Sequence, residues 1–152
     1  MTSRLALVVL LFACKSSDDS EPALFPDDYA ATYQEVRNCR NSIEHGGIRV
    51  RVLASPDAVM PYKTRAQPFP TGALVVKEEY DGGDVDCGGP IVQFTVMQKL
   101  DVGSAPDTLD WEWQEVDRDL HAKQDTLVER CTQCHTDCGK PPEGYDATCT
   151  VP

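Results

Sequence analysis

The chain has 152 residues, 41% of them hydrophobic, and sets 14 Lys+Arg against 25 Asp+Glu for a net charge of −11. That length suits one compact domain and is too short for two once a targeting segment is set aside. So acidic a chain is a poor partner for nucleic acid, and beyond the N-terminus no apolar run nears the ~18 residues that would span a bilayer.

The first stretch, "MTSRLALVVLLFAC", places a single cation at Arg4 ahead of an apolar run over residues 5–13, the pattern of an export signal. Leu11, Phe12, Ala13 and Cys14 resemble the bacterial lipobox, in which cleavage precedes the cysteine and lipid is added to its sulfur. The expected layout is a lipoprotein signal peptide at 1–13, a lipidated Cys14 with a flexible tether to 26, and a domain at 27–152. The tether is polar, acidic and punctuated by proline, and as a random coil it reaches roughly 20 Å. Lys15 stands where an inner-membrane retention signal has Asp, which by analogy favours the periplasmic side of the outer membrane. Removing Arg4 with the signal leaves 13 Lys+Arg against 25 Asp+Glu, or −12. Solubility is one reading of that surface, and docking to a cationic redox partner is a second.

Tyr29, Tyr33, Val36 and Arg37 recur at three and four residues, which predicts an amphipathic helix across 26–42 opened by Pro26, Asp27 and Asp28. "IRVRVLAS" alternates, with Ile48, Val50 and Val52 on one face and Arg49 and Arg51 on the other, and predicts a strand. Ser55 and Pro56 open a helix of one or two turns that Pro61 should end. A hairpin follows, with strands at 73–80 and 91–100 joined by a loop rich in Gly and Asp. "LDWEWQEV" predicts a fourth strand that points Trp111 and Trp113 one way and Glu112 and Gln114 the other. Leu120, Leu127 and Cys131 then fall at helical intervals, predicting a helix over 117–137 that Gly139 and two prolines stop. The order implies an α+β fold: an antiparallel sheet of about four strands with an N-terminal helix and a C-terminal helix packed on it.

Seven cysteines, at 14, 39, 87, 131, 134, 138 and 149, serve a chain that leaves the reducing cytoplasm. In "RCTQCH", Cys131, Cys134 and His135 form Cys-x-x-Cys-His, which sets two thiols one helical turn apart for the two vinyl groups of a haem and an imidazole beside them for its iron. With Cys14 given to lipid and Cys131 and Cys134 to haem c, the remaining Cys39, Cys87, Cys138 and Cys149 are even in number and suit two disulfides. Among the three connectivities, Cys138 with Cys149 is preferred because it closes a short loop holding Pro141, Pro142 and Gly144. A four-thiolate zinc or iron–sulfur site from Cys131, Cys134, Cys138 and Cys149 is the competing reading.

A haem motif at the far end of a chain, after a sheet, is unlike the small all-helical cytochromes c. Together with "FPTGALVVKEEY", "PIVQFTVMQKL" and "DWEW", the order resembles the cytochrome P-460 family and its relatives, the beta-type cytochromes c-prime, from about Phe25 onward. The resemblance implies one covalently bound haem, His135 as proximal iron ligand, an open sixth position, and oxidation of hydroxylamine with electrons passed to an outside acceptor. Lys77 matches the lysine that, in the P-460 enzymes, follows a G-x-x-x-V pattern and bonds the porphyrin edge; the beta-type relatives lack that bond. Binding of nitric oxide without catalysis and plain electron transfer are the alternatives, and a homodimer is a further expectation. Met60, Met97, His45 and His121 are the side chains able to fill the sixth position. Phe69, Tyr80 and Phe94 are candidate pocket walls, and Glu78 or Glu79 a candidate base.

Overall fold

The computed structural model describes residues 21–123 and 126–149, so the expected signal, Cys14 and the first part of the tether lie outside the described residues. One antiparallel sheet runs in sequence order from β1 (Gln34–Ser42) through β2 (Ile48–Ala54), β3 (Leu74–Tyr80) and β4 (Gln93–Lys99) to β5 (Trp111–Asp117). Around it lie α1 (Tyr29–Thr32), α2 (Val59–Thr64) and the C-terminal α3 (Val128–Cys138). The fold is α+β, and its sheet has five strands rather than about four.

The additional strand, β1, lies inside the segment expected to be helical. Only a single turn, α1, forms there; Tyr33 is extended, with ψ 153°, and the chain from Gln34 pairs with β2. Helical stability comes mainly from burying an apolar stripe, and the polar run Gln34 to Ser42 has little to bury. Pairing it with β2 instead covers an otherwise bare sheet edge. Register shifts between Glu35 and Arg37 and between Arg37 and Arg40 break the two-residue alternation that would have marked the strand in sequence.

Two further boundaries differ from expectation. α3 begins at Val128, because the Asp117 carboxylate accepts the backbone N–H groups of Asp119 and His121 and winds the preceding residues into a turn, with Leu120 left-handed at φ 66°. Pro61 falls in the first turn of α2, where its missing N–H has no intrahelical partner to lose, and the helix ends instead at left-handed Arg65.

Strand register sorts the core into two faces. One carries Val52, Ala54, Val75, Met97, Trp111 and Trp113, with Ala58, Tyr62 and Phe69 against them, and α3 leans on it through Val128 and Cys131. The other carries Leu53, Val76, Phe94, Val96 and Val116, covered by Phe25 and Tyr29. The Leu24 N–H donates to Gln114 Oε1 at 2.9 Å and Gln114 Nε2 to the Pro22 carbonyl at 3.1 Å, so the packed fold starts by Pro22, ahead of the boundary expected at residue 27. Tyr80 and Phe94 therefore sit away from α3, and of the three expected pocket aromatics only Phe69 belongs to the α3 side.

Candidate functional site

On α3, Val128, Cys131 and His135 recur at three and four residues and share the face turned to the sheet. Glu129 in the first turn suits the positive end of the helix, and Gly139 ends it. Among the described residues Cys131 and Cys134 are the free cysteines; the structure joins Cys39 to Cys87 and Cys138 to Cys149. The sulfurs of Cys138 and Cys149 lie within 4.8 Å of a His135 nitrogen, but bonded to each other they offer no thiolate, which removes the four-thiolate metal reading.

His135 is set by two contacts. Its Nδ1 lies 2.6 Å from the Ala147 carbonyl. A carbonyl only accepts, so Nδ1 carries the proton and Nε2 keeps the free lone pair that a metal requires. Trp113 meets the ring edge-on, with centroids 4.8 Å apart. Burial holds the imidazole below its ordinary pKa against the pull of that carbonyl, with the Lys77 charge adding to the depression. A neutral ring with a fixed tautomer is what iron ligation asks of a histidine.

Lys77 stands in β3 opposite Val52 on one side and Thr95 on the other, which puts it on the α3 side of the sheet. Its side chain is 16% exposed and its Nζ lies 3.4 Å from Glu79 Oε1. Burial depresses the amine's pKa; Glu79 opposes that, by charge and by hydrogen bond. The Cys131 thiol is pushed up, chiefly by burial and then by Glu115. Glu79 is fixed by Gln93 Nε2 at 2.6 Å and Thr95 Oγ1 at 3.2 Å, while Glu78 points to the opposite face and takes Tyr29, Tyr80 and Arg51 as donors. Of the two acids, Glu79 alone belongs to the site.

Among the candidate sixth ligands, Met97 is packed in the core, Met60 is 56% exposed, and His121 stands 3.9 Å from Asp117. His45, in the turn before β2, feels the charges of Lys77, Glu79 and His135. Its Nδ1 meets Ser42 Oγ at 2.7 Å. Although the ring reaches solvent, the surrounding protein desolvates its charged form and, with the Lys77 cation, pushes its pKa down to about 4. A separate cleft of about 620 Å³ reaches His135 and Ala147 from the C-terminal loop, and neither Lys77 nor either thiol lines it.

A sequence model of the Cytochrome P460 family matches residues 7–141. The chain belongs to the cytochrome P460 family. It is therefore a cytochrome, an iron-binding protein whose cofactor is haem of the c type. A search of curated proteins found no match. The donor chemistry of the site fits that group: two unpaired thiols one turn apart, and after them an imidazole with Nε2 free. In this cytochrome P460 chain the sequence had marked Lys77, Cys131, Cys134 and His135. It had not marked Ala147, whose backbone carbonyl carries no side-chain signature, or Arg37, which β1 brings to the same face and whose Nη1 donates to the Cys149 carbonyl at 2.6 Å.

Proposed function

We propose that this is an exported, lipid-anchored cytochrome carrying one haem bound through Cys131 and Cys134, with His135 as proximal ligand, and that it oxidises hydroxylamine at an open iron. The reading is carried by Lys77: a largely buried amine on the face of the sheet against which Cys131 of the haem motif packs. Haem supplies one-electron redox chemistry and a coordination position for a small nitrogen compound. The protein's own residues do the rest. Cys131 and Cys134 would fix the macrocycle to α3, and the Ala147 carbonyl accepts the His135 Nδ1–H, which leaves Nε2 the lone pair that the iron would take. Burial favours the neutral, nucleophilic Lys77 amine, whose Nζ lies 3.4 Å from Glu79 Oε1. A bond to the porphyrin edge would replace one N–H and one porphyrin C–H, releasing two protons and passing two electrons to the outside acceptor. Gln93 and Thr95 pin Glu79 in place beside Lys77.

Export rests on Arg4, the apolar run that follows it and Cys14, and an oxidising compartment is where two disulfides persist. With lipid at Cys14 the domain hangs from the periplasmic side of the outer membrane. Its acidic surface suits a cationic redox partner. The Lys77–Glu79 ion pair also supports a second reading, a nitric-oxide-binding protein whose lysine stays unbonded.

The ferrous absorption spectrum of the holoprotein, read beside peptide masses of the parent and Lys77→Ala, tests the assignment. A red-shifted Soret band without an ordinary c-type alpha band, and a haem peptide linked to Lys77, are expected. A normal high-spin spectrum with no such link favours the gas binder, and sharp low-spin bands reject the open iron.

A further inference from the structure

The carbonyl that holds His135 belongs to a loop in an uncommon conformation. Asp146 and Ala147 are both left-handed, at φ 45° and 61°, a region that side chains other than glycine avoid. Such a backbone persists only where its surroundings over-determine it, and here they do. Lys99, the last residue of β4 and 4% exposed, places Nζ 2.9 Å from Asp146 Oδ1 and 5.0 Å from the Trp111 ring centroid. Trp111 Nε1 donates to the Asp146 carbonyl at 3.0 Å, the Phe69 N–H to Asp146 Oδ2 at 3.4 Å, and the Ala147 N–H to the Gly139 carbonyl at 3.1 Å. A lysine ammonium taken that far out of water demands its carboxylate, so the pair fixes Asp146, and with it the direction of the next carbonyl.

We infer that Lys99 and Asp146 are positioning residues that set the strength of the His135 Nδ1–H bond to Ala147 and, through it, the electron donation of the imidazole to iron. The inference rests on His135 being the proximal ligand. A firmly held carbonyl draws on the Nδ1 proton, leaves more electron density on the ring, and strengthens donation from Nε2. Stronger donation favours the ferric state. Asp146 precedes Ala147 in the chain, so the Lys99–Asp146 pair reaches His135 by way of that peptide group.

The test uses the haem-loaded protein and reads the iron–histidine stretching band of the ferrous form by resonance Raman together with the midpoint potential. Lys99→Met should move the band to lower frequency and raise the potential. Lys99→Arg should return both toward the parent. Arg51→Gln, which breaks an ion pair on the opposite face of the sheet, should lower the melting temperature and leave both readouts in place. A haem-loaded Lys99→Met with parental band and potential overturns the inference. If Lys99→Met does not fold, Asp146→Asn decides by the same reading, since that carboxylate is partly exposed; failure of both to fold, with Arg51→Gln folding, would show a purely structural pair and also overturn it. A parent that carries no haem rejects the assignment of His135 instead.

Discussion

Glu78 is 1% exposed, yet both its oxygens have donors: Tyr29 on one, Tyr80 and Arg51 on the other. Burial and the nearby carboxylate raise the pKa of both tyrosines, which keeps them protonated as donors. Glu78→Gln should destabilise the fold by about 3 kcal/mol, the order expected when a buried charged partner is lost, while the haem spectrum stays parental because α3 lies on the other face. Denaturant unfolding and visible absorption check the two halves of that statement. Glu79→Gln should do the reverse, perturbing the spectrum and the Lys77 link more than the stability. His45 gives a pH dependence of known sign. Its folded pKa, near 4, lies below the ordinary histidine value of 6.5, so the unfolded chain takes up a proton first as pH falls. Stability should therefore decline from about pH 6.5 down to about pH 4, and His45→Gln should flatten the melting temperature over that window.

At the scale of elements, β2 to β5 were legible because Ile48 to Val52, Leu74 to Val76 and Trp111 to Trp113 alternate or run apolar as paired strands do. β1 was not legible, since its bulges scramble the alternation and its edge position leaves it polar on both sides. Tertiary pairing overrode a local helical spacing that only Tyr29 to Thr32 honours. The haem motif was readable as a pentad, whereas the parts that orient it were not: Lys99 looks like any charged strand end until register puts it beside Trp111. The Cys39–Cys87 bridge ties β1 to the loop between β3 and β4 across 48 residues. Loop-closure entropy gives such a bridge about 4 kcal/mol, so Cys39→Ala with Cys87→Ala should lose about that much in guanidinium unfolding and still bind haem. Gly144 is more demanding, because an added Cβ would come within 2.2 Å of the Cys138 and Thr148 carbonyls. Gly144→Ala should open the C-terminal loop, weaken the hold on His135 and broaden the haem absorption.

For the molecule as a whole, the sheet acts as a partition. One face is covered by Phe25 and Tyr29; the other, under α3, carries Lys77, Glu79, Trp113, Cys131 and His135. The acidic exterior predicts that electron transfer to a cationic acceptor slows as salt is added, by tenfold or more in favourable cases; a stopped-flow rate that ignores ionic strength would point to an uncharged docking face. The central claim, a haem bonded to α3 through Cys131 and Cys134, is tested most directly by intact mass after acid extraction of protein made in a host competent in cytochrome c maturation. The parent should keep the mass of one haem and Cys131→Ser with Cys134→Ser should lose it; a colourless parent with both thiols free, or a double variant that still retains the full haem mass, would contradict the account.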